Sequence, residues 1–173
     1  MTFFDLALML IIAAFVFFGL YFGVIHTLGS LIGVVVGAFI ASHLSAWLGW
    51  IASYVFLWDE KTATFWTFVI SFVVINRVVG LLFHIISRVT QILERLPFLN
   101  TASKVLGGVL GFVEGLLVMG LILSVAKQYE IGYFWTQMIN SSWVALWLVG
   151  VATILQPLLP DVMKYAQNLI QKK

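Results

Sequence analysis

Residues 6–58 contain no Asp, Glu, Lys or Arg. As a single α-helix this stretch would extend roughly 80 Å, against a hydrocarbon core of about 30 Å. It is too apolar to rest in water and too long for one crossing, so it must turn back on itself within a bilayer. Its most polar and turn-prone segment is His26-Thr27-Leu28-Gly29-Ser30. A turn there predicts a first helix over residues 4–25 and a second over residues 29–52.

The rest of the chain extends the pattern. After the polar island Asp59-Glu60-Lys61, a third span is expected over residues 65–86, with Asn76 and Arg77 inside it. A fourth is expected over residues 105–126, with Glu114 in its middle. Between them Val89, Ile92, Leu93 and Leu96 recur at helical spacing, opposite Arg88, Gln91, Glu94 and Arg95. That pattern predicts an amphipathic extension of the third helix, with Pro97 as its breaker.

Composition confirms the solvent. The chain is 62% hydrophobic and 9% charged, where soluble domains carry roughly 25% charged residues. So few charges exclude a soluble enzyme and a disordered chain. A net charge of +2, without a dense basic patch, gives no phosphate-binding surface, so no nucleic-acid partner is expected. There is no cysteine, hence no disulfide and no thiolate ligand. Met1 to Asp5 lacks the basic start of a cleavable signal, and the first apolar run is read as a retained span.

Orientation follows from Lys and Arg in the short loops. Residues 87–104 hold Arg88, Arg95 and Lys104, whereas 53–64 hold Lys61 alone. The loop between the third and fourth spans is therefore expected on the cytoplasmic side, with the N-terminus periplasmic. In the tail, residues 127–173, two signals compete. Lys164, Lys172 and Lys173 favour the inside, and the uncharged stretch 142–159 would then be a short fifth span. Trp135, Trp143 and Trp147 instead match an outer aromatic belt with Trp47, Trp50, Trp58 and Trp66. Weighting the tryptophans gives an all-α polytopic membrane protein with four transmembrane helices and a C-terminal interfacial helix. A fifth spanning helix is the alternative. Residues 161–171, with apolar positions on one side, suit the interface in either case.

Small residues mark the packing faces. Gly29, Gly33 and Gly37 form one GxxxGxxxG ladder, Gly107, Gly111 and Gly115 another, and Gly19 and Gly23 a single GxxxG. Helices in lipid associate by close backbone approach, which glycines permit. Such a face serves contacts within one chain or between copies. Residues 28–33 and 106–111 also resemble each other, as do Gly19-Leu20-Tyr21-Phe22 and Gly80-Leu81-Leu82-Phe83. An internal repeat of two helix pairs and coincidence among apolar letters both account for that likeness.

Arg77 and Glu114 are the costly residues, because charges inside a bilayer must face protein or water and find partners. Each lies nine residues from the cytoplasmic end of its expected span, so the two are level and are expected to form an intramembrane ion pair. The pair would either fix helix register or line an ion or proton route. His26, His43 and His84 are too scattered for a metal site, and Asp5 suits a helix N-terminus. No phosphate loop, HExxH or GxSxG motif is present, so neither enzymatic activity nor a cofactor is expected.

Taken together, Asp5, Gly19, Gly23, the 29/33/37 ladder, Leu99-Asn100 and Lys104 to Gly111 resemble the colicin V production protein family. Trp135, Ser141-Ser142 and Leu158-Leu159-Pro160 resemble its tail. The resemblance implies a non-enzymatic bacterial inner-membrane protein of about four spans, linked to toxin (bacteriocin) production or secretion, or to envelope maintenance. Its partners would be the lipid bilayer and either a homo-oligomer or another membrane protein. The chain departs from the family at Ser103-Lys104, where an Asp-Arg pair is frequent. It departs again at Glu114, where a basic residue is usual, and at Phe22 and His26, where many members have an Arg. A small oligomeric channel or transporter with a route past Arg77 and Glu114 is the rival reading.

Overall fold

The computed structural model describes residues 3–90, 97–129 and 132–154. Within them the chain forms six helices and no strand: α1 (Phe3–Phe22), α2 (Val24–Phe56), α3 (Glu60–Thr90), α4 (Pro97–Tyr129), α5 (Tyr133–Ser141) and α6 (Trp143–Ala152). The first four are long and apolar enough to cross a membrane. They are apolar nearly all round, as expected for helices whose outer faces meet lipid. α6 has 10 residues and a length of about 15 Å, half of a hydrocarbon core.

The first turn lies earlier than the sequence suggested. α1 and α2 are separated by Gly23 alone, which has φ 80°. A positive φ is open to glycine without strain. The Gly23 N–H donates to the Gly19 carbonyl at 2.9 Å, and the Gly23 carbonyl accepts from Thr27 N–H at 3.2 Å and Thr27 Oγ1 at 2.8 Å. Residues 26–30, expected to form the turn, are helical. The Thr27 and Ser30 hydroxyls donate to groups inside the fold, so polarity there marks helix contacts and not a loop.

The tip of this V is held by α4. Val24 N–H, one of the donors left open at the start of α2, donates to Ser103 Oγ at 3.2 Å. From that point α1 and α4 run antiparallel, with Gly19 against Gly107 and Phe15 against Gly111 and Gly115. α2 runs in the same sense as α4, from Val24 beside Ser103 to Ser30 beside Glu114. α4 therefore lies in the crook between α1 and α2, which touch each other little.

α2 and α3 make the most extensive pair. They are antiparallel, with Gly29 against Phe83, Gly33 against Asn76, Gly37 against Phe72 and Gly49 against Thr64. Leu57, in the left-handed conformation with φ 54°, ends α2. Glu60 opens α3, where a carboxylate suits the positive helix end. Pro97, expected as a breaker, stands first in α4, the helical position that proline tolerates best. Both α3 and α4 exceed their expected spans. The proposed amphipathic extension lies partly, and the 161–171 helix wholly, outside the described residues. The core is a seam of Leu8, Val34, Ala38, Phe68, Phe72, Val118 and Leu121, closed at one end by Ile139 and Leu148.

Candidate functional site

At mid-span, three helices bring polar groups together. Ser30 on α2 donates its hydroxyl hydrogen bond to Glu114 on α4, whose side chain is only 6% exposed. Arg77 on α3 is exposed on the surface of the chain, near enough to act on the Glu114 carboxylate through charge. Among the described residues the direct contact to that carboxylate comes from Ser30. Asn76 stands beside Arg77, and its side-chain oxygen is buried without a hydrogen-bond partner among the described residues. That oxygen lies where a side chain at Gly33 would be.

The glycines explain how Glu114 is enclosed. A methyl group at Gly107 would overlap the Gly19 carbonyl and approach the Gly23 backbone. At Gly111 it would overlap the Phe15 carbonyl, and at Gly115 it would press on the Phe15 ring. Gly29, Gly33 and Gly37 turn toward α3, against Phe83, Asn76 and Phe72 respectively. Gly19 and Gly80, equivalent in the suggested repeat, differ in surroundings. Gly19 is locked against α4, whereas nothing lies within 4 Å of a Cβ placed at Gly80.

A second polar contact ties down the tail. Asp5, 5% exposed in the first turn of α1, accepts a hydrogen bond from Ser142 Oγ. Ser142 also caps α6, accepting from Ala145 N–H at 3.0 Å. One hydroxyl thus fixes the start of α6 and anchors it to α1. In the sequence Asp5 suits a helix N-terminus and Ser142 belongs to the tail that resembles the family, with no contact between them implied. The available signal was a short hydroxyl side chain at the edge of an apolar run, where buried hydroxyls seldom lack partners. Ser142→Ala is expected to cost about 1–2 kcal/mol at this junction. It should speed hydrogen exchange across residues 143–152 while leaving α2 and α3 unchanged. Unaltered exchange would show that the bond does not hold the tail.

A cavity of about 490 Å³ lies apart from Glu114, between α1, α4 and α6. Its walls include Ile12, Val16, Phe112, Leu116, Trp143 and Trp147, all apolar or aromatic. His26 packs its ring on Phe22 with centroids 4.5 Å apart, and a ring nitrogen of His43 lies 2.9 Å from the Phe39 carbonyl. No group of three or more His, Cys, Asp or Glu that could hold a metal comes together among the described residues.

Comparison with curated proteins and with solved structures finds no significant match. The family model described as colicin V production protein matches residues 4–153, which takes in all four long helices and both short ones. With that coverage, and with four helices able to cross a membrane where the resemblance implied about four, the chain belongs to the colicin V production protein family.

Proposed function

We propose that this chain is a non-enzymatic inner-membrane assembly component that supports toxin (bacteriocin) production or secretion, or maintenance of the envelope, as an oligomer or with a membrane partner. Family membership over residues 4–153 supports the link to colicin V production, and that family is not known as an enzyme family. The observation that favours assembly over conduction is the closed packing around Glu114. Its carboxylate is occupied by Ser30, and the glycines beside it are filled by Phe15 and its backbone. The cavity between α1, α4 and α6 is apolar and lies apart from Glu114, so a channel or transporter past Arg77 and Glu114 has the weaker support. In this role the Arg77 and Glu114 charges set the relative position of α3 and α4.

Deleting the gene in its own bacterium and measuring bacteriocin secretion and detergent sensitivity tests the role. Loss of either, restored by the intact chain, is the expected result. Unchanged secretion and unchanged sensitivity would sink it. The same reading places the N-terminus in the periplasm, and the absence of native cysteine makes that simple to check. In intact spheroplasts an impermeant maleimide should label Lys61→Cys and spare Lys104→Cys. The opposite pattern would invert the topology.

A further inference from the structure

Arg77 occupies a place where a guanidinium needs a countercharge, and the Glu114 carboxylate near it is already hydrogen-bonded by Ser30. Its neighbour Asn76 packs against Gly33. From the Gly23 tip to Gly33 is roughly 15 Å along α2, close to the middle of a core about 30 Å thick. At that depth Arg77 is exposed on the chain surface, surrounded by exposed Val73, Val74 and Leu81. Among the described residues α2 packs along α3 extensively, and α4 touches it little.

Charges inside a bilayer face protein or water and pair, so this surface is not simply a lipid surface. Phospholipid headgroups lie too far away for one side chain to reach from mid-bilayer. A second copy packing this face on itself, related by a two-fold axis along the membrane normal, would bring Arg77 toward Arg77. Of the seven Asp and Glu in the chain, Glu114 alone lies in the middle of a span, and it is buried against Ser30. A second copy on this face therefore offers repulsion without a free countercharge. The geometry points to a transmembrane helix of a different protein, carrying an Asp or Glu near mid-bilayer, that packs on α3 across Arg77 and the exposed Val73, Val74 and Leu81. This rests on the reading that the chain works by association in the membrane, and it assigns the chemistry of one partner.

The test uses the full chain in phosphatidylcholine vesicles with leucine-alanine transmembrane peptides bearing a central Glu, Leu or Lys. Energy transfer from the chain's tryptophans to a labelled peptide reports association. The Glu peptide should associate about tenfold more strongly than the Leu peptide, the scale of an interhelical polar contact. Arg77→Gln should abolish that preference and Arg77→Lys should retain it, which separates loss of charge from loss of fold. Arg77→Glu should transfer the preference to the Lys peptide. Equal association of Glu and Leu peptides, or a preference that survives Arg77→Gln, would overturn the proposal. So would self-association of the chain without peptide that Arg77→Gln abolishes, since a second copy would then hold the face. A failed peptide test alongside lost secretion in the deletion strain would reject this partner and leave the assembly role standing.

Discussion

Gly107→Leu is expected to prevent α1 and α4 from docking, with a loss of about 3 kcal/mol, the upper end of the usual overpacking range. The obstacle is main chain and cannot swing aside: the Gly19 carbonyl and the Gly23 backbone lie where the new side chain would go. Gly29→Leu should cost less, because its obstacle is the Phe83 side chain, which can change rotamer. Gly150→Leu, with nothing within 4 Å, should change stability by less than about 0.5 kcal/mol. Thermal unfolding in detergent micelles measures the three. Equal losses at 107 and 150 would show that the α1–α4 contact is not glycine-limited.

The second large effect is expected at Glu114. Glu114→Ala leaves the Ser30 hydroxyl without its acceptor and Arg77 without the carboxylate that acts on it, at a cost of about 2 kcal/mol. Arg77→Ala should cost less, because Glu114 keeps its Ser30 bond. The double variant should be more stable than the sum of the singles predicts, by about 1 kcal/mol, because neutralising both leaves no orphan charge. Additive losses would mean that the two charges are not coupled. Function separates the rival roles in the same set of variants. An assembly component retains secretion in the double variant, whereas a conduction route loses activity in each single variant and does not regain it.

Several elements of this fold are legible from local sequence. Four apolar segments announce four long helices, since length and hydropathy against a bilayer of fixed thickness leave little choice. Gly29, Gly33 and Gly37 and Gly107, Gly111 and Gly115 announce two faces able to pack closely. Glu114 announces a group that needs a partner. What each of these meets was not legible. By local sequence Ser30 belongs to a turn, yet it supplies the hydrogen bond to Glu114, because a hydroxyl looks the same in a loop and in a helix seam. Gly23 carries the turn, although its neighbours are all apolar. Nothing local distinguishes a glycine that needs a positive φ from one that needs an open face.

The sequence by itself determined that this chain lives in a membrane as helices and that Arg77 and Glu114 lie within its spans. Those are one-dimensional properties, set by run length, spacing and transfer energy. Tertiary structure alone decided that α4 lies in the crook between α1 and α2, that Ser103 caps α2 and that Ser142 ties α6 to Asp5. It also decided that Arg77 faces outward. These depend on which apolar faces meet, and in lipid many pairings bury similar surface. The choice falls to close backbone approach and to a few hydrogen bonds between residues distant in sequence.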